Sequence, residues 1–297
     1  MQTIEAIKAV SRIGAHRILR ALQGSAVTVL MYHGVVADDC MVAEDDWLQV
    51  KESDFREQMG FLSEHYEVLP LDRAWESKSG TSSKPRAVIT FDDGYANNYH
   101  VAYPILREFG LPATIFLVTG AIGSRNLFWY DRLQTALKGL LPIREIKSIR
   151  EDLKARIHPH AMNAAVDALL REKIGSAEPT EEAIAAYRPL DFPEIKEMGR
   201  SGSIRFGSHT HRHEILTKMT RAEVEETLAR SLEVLRGLPG ASDYFCYPNG
   251  SHGPGHDEIL RRLGFAGAVR VGGRTLGSRH RSFSHPPHRH RPRHGSC

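Results

Sequence analysis

Residues 87–95 read AVITFDDGY, so five apolar or β-branched residues run directly into two aspartates, a glycine and a tyrosine. A continuously apolar run of this length predicts a strand that is buried on both faces, and such strands belong to parallel sheets. Short runs of the same kind recur along the chain. The predicted strands are 27–32, 67–69, 87–91, 113–118, 203–206, 244–247 and 267–271.

Helical patterns separate these strands. The predicted helices include 53–64, 97–109, 129–140, 160–173, 179–187, 192–200, 221–236 and 254–264. We therefore expect an α/β fold, a single distorted (β/α) barrel of about seven parallel strands over residues 25–270. The polar, helix-rich stretch 124–200 is too long for one crossover connection, so it predicts a helical insertion beside the mouth of the barrel.

The two ends of the chain differ from this central unit. Residues 1–24 predict an amphipathic helix, whose periodic stretch 2–22 either packs on the barrel or lies on an anionic membrane surface as a peripheral contact. Residues 271–297 are rich in arginine and histidine and poor in large apolar side chains, which predicts a disordered tail. The N-terminus lacks the apolar core of an export signal, so we expect a cytoplasmic protein or one on the inner membrane face.

Composition excludes several classes of protein. Three widely spaced cysteines exclude a disulfide scaffold and a cysteine-rich zinc module. The formal net charge is +3, but nine of the 39 basic residues lie in 259–297, where no acidic residue occurs. The remaining chain is mildly acidic, so no nucleic-acid partner is expected. The sequence leaves the oligomeric state open.

Asp92 and Asp93 directly follow the predicted strand 87–91. An Asp-Gly pair by itself is a common turn. At the carboxyl end of a buried barrel strand, however, two adjacent carboxylates repel each other in a medium of low dielectric constant unless a cation neutralises one. Neighbouring side chains point in different directions, so one carboxylate can bind a metal ion while the other faces a metal-bound water.

His209 and His213 follow the predicted strand 203–206 in an HxxxH spacing that suits two imidazole ligands on one cation. His211 lies between them and competes for this role, because a fully extended segment would place all three on one face. One carboxylate with two imidazoles suits a divalent metal, zinc first, with cobalt, nickel or iron as alternatives.

TFDDGY at 90–95, SHTHRH at 208–213 and YPNG at 247–250, in this order, resemble the motifs of NodB-type polysaccharide deacetylases, carbohydrate esterase family 4. The resemblance covers about residues 25–270. It implies that Asp92 is the general base and that Asp93, His209 and His213 bind the metal. It also implies a substrate cleft, in which the Tyr247 N–H helps to hold the oxyanion. The residues implied for substrate binding are Tyr247, Pro248, Asn249 and Tyr95.

The general acid is implied by a subset of the family. Many members carry this histidine on a late strand in a Leu-x-His pattern, and no such pattern follows Val271. Permuted members that resemble bacterial exopolysaccharide N-deacetylases carry it near the N-terminus, and LMYHGV at 30–35 matches their arrangement. His33 is therefore the candidate acid. The alternative is a histidine that only ends the first strand.

The implied function is metal-dependent hydrolysis of N-acetyl groups on the amino sugars of a polysaccharide or its lipid-linked precursor, with an N-acetylated glycan or glycolipid as the partner. Rival hypotheses remain at this point. The same fold could cleave a small cyclic amide or a formamido sugar, and a degenerate scaffold could bind carbohydrate without catalysis. Two histidines and one carboxylate also occur in non-haem iron oxygenases, although the β/α alternation argues against that class.

Overall fold

The computed structural model describes residues 27–44, 46, 48–74, 84–175 and 178–270. Nine strands are assigned within these ranges: β1 Val27–Tyr32, β2 Gly34–Val36, β3 Gln49–Lys51, β4 Glu67–Val68, β5 Arg86–Phe91, β6 Ala113–Leu117, β7 Ile204–Ser208, β8 Ala241–Cys246 and β9 Gly267–Val269. The α-helices of the same ranges are α1 Glu52–His65, α2 Leu71–Ala74, α3 Tyr103–Glu108, α4 Trp129–Leu137, α5 Ile143–Arg156, α6 Met162–Ile174, α7 Glu181–Tyr187, α8 Phe192–Arg200, α9 Arg221–Arg236 and α10 His256–Leu263.

A seven-stranded parallel sheet forms the centre of the fold. Six strands follow the order β1-β5-β6-β7-β8-β9, and the seventh, β4, pairs with β5 beside this order. The short β4 pairs with the beginning of β5 at Arg86 and Ala87, whereas β6 pairs with its end at Thr90 and Phe91. Within the described ranges β1 does not pair with β9, so the curled sheet is an open, distorted barrel. The predicted α/β barrel class is confirmed.

The central strands bury both faces, as their continuous apolar runs predict. On β5, Ile89 and Phe91 join a large core with the surrounding helices, while Val88 points the other way into a smaller core with Phe116 and Cys246. This alternation follows from the two-residue period of a strand. Asp92 continues the register of Val88, and its side chain contacts Cys246 of that smaller core.

The insertion has a hydrophobic core of its own. Apolar residues of α4, α5, α6 and α7 pack together with Tyr95 and Val118 of the barrel. Because these two barrel residues belong to the same core, the first helix of the insertion, α4, lies against the turn that follows β5. The predicted helical insertion beside the barrel mouth therefore agrees with this packing.

Some predicted boundaries differ from the structure. β7 ends at Ser208 instead of 206, and β8 begins at Ala241 instead of 244. A parallel pair, β2 with β3, was not predicted because each strand has only three residues. Helix α5 was also missed, although Ile146, Ile149 and Leu153 of its sequence have the spacing of one helix face. The predicted helix 97–109 begins with a π-helical turn, Asn98–Ala102.

The predicted N-terminal helix 2–22 and the tail 271–297 lie outside the described residues. Within the described ranges, no helix is both long enough and apolar enough to serve as a membrane span.

Candidate metal centre

Three neighbouring strands bring the candidate metal ligands to one edge of the sheet. β5 leads into Asp93, β7 leads into His209, and β6 lies between the two strands. The His209 N–H donates to Leu117 O of β6 at 2.8 Å, and the Val118 N–H reaches Asp93 O at 3.5 Å. Residues separated by more than a hundred positions are therefore held side by side by the sheet itself.

Asp93, His209 and His213 form a compact cluster. The Asp93 Oδ1 atom lies 3.5 Å from His209 Nε2 and 3.3 Å from His213 Nε2. All three ligand atoms are within 4.8 Å of one another. Asp93 Oδ1 is buried and has no hydrogen-bond partner in the described part of the chain. An unpartnered buried carboxylate oxygen that faces two imidazole nitrogens fits a divalent metal ion.

The two imidazoles are suited to metal binding by their protonation state. Burial, followed by the neighbouring histidine charges, lowers the pKa of His209 to about 3, and burial lowers the pKa of His213 to about 3 as well. Neutral imidazole is the form that binds a metal. His209 Nδ1 lies 2.9 Å from Cys246 O, and an Nδ1–H donated to this carbonyl leaves the Nε2 lone pair directed at Asp93.

The backbone around the cluster is unusual. Asp93, Thr210 and His213 have φ values of 71°, 66° and 58°, in the left-handed region that side chains other than glycine rarely adopt. Such strained positions concentrate at functional sites. The Glu214 N–H donates to Thr210 Oγ1 at 3.0 Å, which stabilises the turn.

The turn at Thr210 also separates His211 from the cluster. A fully extended segment would place His211 beside His209 and His213, but Thr210 has a left-handed φ of 66°, so the segment is not extended after His209. His211 Nδ1 lies 3.1 Å from Thr119 Oγ1 instead. The structure therefore places His209 and His213, not His211, next to Asp93.

Asp92 adjoins the cluster on the inner side of the barrel. Its Oδ2 lies 3.5 Å from the Cys246 thiol, and its Oδ1 is buried without a hydrogen-bond partner among the described residues. Burial raises the pKa of Asp92 to about 6, which the charge of His33 partly opposes. A carboxylate whose pKa lies near neutrality is suited to accept a proton.

His33 lies at the same edge as Asp92. The Asp92 N–H donates to Tyr32 O at 2.9 Å and thereby extends the ladder between β1 and β5. The Asn98 side chain donates to His33 O at 2.8 Å, which fixes the backbone of this residue. The charge of His33 also lowers the pKa of His213, so its imidazole is within electrostatic reach of the cluster.

The residues expected to bind substrate are placed less favourably for contact with a molecule bound at the candidate metal centre. The Tyr247 N–H donates to Val269 O at 3.1 Å and the Tyr247 hydroxyl donates to Asp257 at 2.9 Å, so neither group faces the cluster as an oxyanion donor. Pro248 is buried, whereas Asn249 is exposed. Tyr95 is fully buried, and its hydroxyl donates to Asp131. Substrate binding by these four residues stays a prediction, which the burial of the Tyr95 side chain does not favour.

The insertion contributes polar residues that the sequence did not single out. The Tyr130 ring centroid lies 5.1 Å from that of His213, and its hydroxyl is buried without a hydrogen-bond partner in the described structure. Burial, followed by the charge of Asp93, raises the pKa of Tyr130 well above its ordinary value. Asp131 is buried beside it, and burial raises the pKa of this carboxyl strongly. Nothing in the helical pattern of 129–140 separates these two residues from ordinary core positions.

A cavity of about 150 Å³ lies between the insertion and the loop that follows β7. It reaches the candidate metal centre at His213. Aromatic, amide and basic side chains share its wall, and they include Trp129, His160, Asn163, Arg212 and Lys218.

Comparison with known proteins identifies the family. The sequence profile described as polysaccharide deacetylase matches residues 79–268, nearly two thirds of the chain. The chain belongs to the polysaccharide deacetylase family. The resemblance found in its motifs is thereby confirmed, and the profile range contains Asp92, Asp93, His209 and His213. His33 lies outside that range.

Two curated relatives align with parts of this chain. The Bacillus subtilis (strain 168) protein YxkH is 33% identical over 101 residues, which are 33% of this chain and 34% of YxkH. A Staphylococcus aureus (strain MSSA476) poly-β-1,6-N-acetyl-D-glucosamine N-deacetylase is 35% identical over 86 residues, 28% of this chain and 30% of that enzyme. The aligned stretches thus span about a third of each relative.

Solved structures confirm the fold over most of the chain. The Streptococcus pyogenes deacetylase PplD, in complex with acetate, superposes with a TM-score of 0.56 at 18% identity, over 84% of this chain and 85% of that one. IcaB from Ammonifex degensii superposes with a TM-score of 0.54 at 21% identity, over the same shares of the two chains.

Proposed function

We propose that this polysaccharide deacetylase is a metal-dependent hydrolase that removes N-acetyl groups from amino sugars of a polysaccharide or its lipid-linked precursor. The observation that carries the proposal is the buried Asp93 Oδ1, which has no hydrogen-bond partner in the described structure and faces Nε2 of both His209 and His213. These three residues would hold a divalent cation, which would supply Lewis-acid chemistry to the acetyl carbonyl and to water.

Asp92 serves as the general base. Its unpartnered Oδ1 accepts the proton of the attacking water, while the Cys246 thiol holds the other oxygen at 3.5 Å. Because Asp92 and Asp93 are neighbours whose side chains diverge, the proton acceptor and the metal ligand lie side by side without being the same group. A correctly placed base of this kind contributes about 10²–10⁴-fold to the rate.

His33 serves as the general acid. When the bond between the acetyl carbon and the sugar nitrogen breaks, the imidazolium of His33 gives its proton to the departing amine. Water supplies the second carboxylate oxygen of the acetate product and gives a proton to Asp92, so the reaction consumes one water and yields acetate and the free amino sugar.

The polymer class is proposed from the relatives. The S. aureus relative is described as acting on poly-β-1,6-N-acetyl-D-glucosamine. We extend this substrate class, a β-linked N-acetylglucosamine polymer, to the present chain. The cavity of about 150 Å³ beside His213 adjoins the cluster.

The test combines acetate release with metal content on β-1,6- and β-1,4-linked N-acetylglucosamine oligomers. Asp93→Asn should lose one equivalent of bound metal together with the activity, whereas Asp92→Asn should retain the wild-type metal content and lose activity by at least about 100-fold. Asp39→Asn, a change of the same chemistry at an exposed turn, is the matched control and should behave as the wild type. Equal metal loss in the two active-site variants, or undiminished acetate release after chelation, would contradict the proposal.

A further inference from the structure

A second group of side chains that can bind a metal ion lies where the insertion meets the barrel, a contact called the seam below. His158 and His160 belong to the segment that joins α5 to α6, and Glu223 lies in the first turn of α9. Glu223 Oε1 is 3.5 Å from His158 Nε2 and 3.8 Å from His160 Nδ1. One ligand atom from each of the three residues lies within 4.8 Å of the other two.

The carboxylate of Glu223 is oriented by the cap of its helix. Its Oε2 accepts the backbone N–H of Thr220 at 2.8 Å and the hydroxyl of Thr220 at 2.8 Å. Its Oε1 has no part in this capping box, and it is this oxygen that faces both imidazoles. Hydrogen bonds that fix one oxygen and leave the other directed at a ligand are the usual support of a carboxylate metal ligand.

The two histidines are presented in a way that suits chelation. Only Pro159 separates them, and their ring centroids are 5.2 Å apart at an interplanar angle of 77°. Both side chains are about 40% exposed, so a cation can reach them from solvent. His158 Nδ1 accepts the His160 N–H at 3.4 Å, a long contact that is given up when Nδ1 carries the proton and Nε2 binds metal.

We propose that His158, His160 and Glu223 form a second divalent-cation site, selective for the zinc class of metals, that joins the insertion to the barrel. Two imidazoles and one carboxylate leave a coordination position for water, as a three-ligand zinc site does. Because the ligands come from two parts of the fold, a bound cation would cross-link the insertion to the barrel. His160 also lines the cavity that reaches His213, so this second site borders the proposed active site.

The test is a Zn²⁺ titration of the full chain by calorimetry, with total bound metal measured by elemental analysis. His160→Asn should bind one equivalent less than the wild type. His65→Asn removes an imidazole of similar exposure near Glu64, outside the seam, and is the matched control that should keep the wild-type stoichiometry. The five histidines of the segment 272–297 and the Asp93 centre are unchanged in both variants, so they cancel in the comparison.

Thermal unfolding supplies a second readout. Saturating Zn²⁺ should raise the melting temperature of the wild type and of His65→Asn by more than that of His160→Asn or His158→Asn, and all four proteins should melt alike in chelator. Equal stoichiometry and equal zinc-dependent shifts in all four proteins would overturn the second site and leave the proposed deacetylase centre untouched. If His160→Asn melts early in chelator, His158→Asn decides the question.

Discussion

The hydroxyl of Tyr95 donates to Oδ2 of Asp131 at 2.9 Å, and both side chains are buried. This hydrogen bond joins the turn that follows Asp92 and Asp93 to α4, the first helix of the insertion. The motif TFDDGY therefore ends in a structural contact, in which its tyrosine joins the barrel to the insertion.

Tyr95→Phe should destabilise the protein by about 1–3 kcal/mol, because it leaves the buried Asp131 oxygen without its partner. Activity of the folded fraction should change little. Urea unfolding together with acetate release separates the two effects. Tyr99→Phe is the control, since the Tyr99 hydroxyl bonds to Glu197 at the surface and its loss should cost less than about 0.5 kcal/mol. A large rise in KM with unchanged stability in Tyr95→Phe would restore Tyr95 as a substrate contact.

Tyr130→Phe should show the opposite pattern to Tyr95→Phe, with lower activity and no loss of stability. The Tyr130 hydroxyl is buried without a partner in the described structure, so its removal should leave stability unchanged or higher. The same hydroxyl lies near Asp93 and His213, where it can donate to bound substrate or water. We therefore expect kcat to fall about tenfold, the loss of one hydrogen bond worth about 1.4 kcal/mol. Destabilisation with full kcat would show that the hydroxyl serves only packing.

Cys246→Ala should lower kcat while the metal content stays the same. The Cys246 thiol contacts Asp92 Oδ2 at 3.5 Å, and removing it takes away a hydrogen bond to the proposed base. A hydrogen bond to a charged group contributes about 1.5–3 kcal/mol, so kcat should fall by roughly one to two orders of magnitude. Cys40→Ala, at a half-buried cysteine of the β2–β3 connection, is the matched control. Equal kcat in the two variants would show that the Cys246 thiol does not support Asp92 as the base.

Glu194 should make stability depend on pH. Burial raises its pKa, but hydrogen bonds from Arg188 and from the Asp191 N–H outweigh burial, so the pKa lies below its ordinary value. A carboxyl whose pKa is lowered by folding stabilises the protein above its unfolded pKa, and this contribution is lost as the pH falls through the folded value.

Glu194→Gln should therefore be less stable than the wild type by about 1–3 kcal/mol at pH 7.5. The difference should shrink as the pH falls below about 4.3, the ordinary glutamate pKa. Chemical denaturation at several pH values measures it. Glu197→Gln, at a surface carboxylate nearby, should show little change at any pH. A difference between Glu194→Gln and wild type that stays constant down to pH 3.5 would contradict the assignment.

The sequence predicted much of the fold and of the candidate site, for identifiable physical reasons. Buried parallel strands are continuously apolar, and the motif residues follow their carboxyl ends, so both Asp93 and His209 could be placed at one edge of the sheet. The boundaries were less certain because Gly207 and Ser208 extend β7 beyond its last large apolar residue, Phe206.

Contacts across the insertion could not be predicted. Tyr95 and Asp131 are 36 positions apart, and only the packing of α4 against the barrel brings them together. The choice between His211 and His213 depended on a single backbone turn at Thr210. The use of the Tyr247 N–H in the ladder with Val269 likewise depends on the pairing of two strands that the sequence does not specify.

The convergence of Asp93, His209 and His213 on one ion is tested most directly by anomalous diffraction at the zinc edge from crystals of the full chain grown with zinc. We expect an anomalous peak about 2.0–2.2 Å from Asp93 Oδ1 and from Nε2 of both histidines. A chain saturated with zinc that shows no peak among these three side chains would contradict the account.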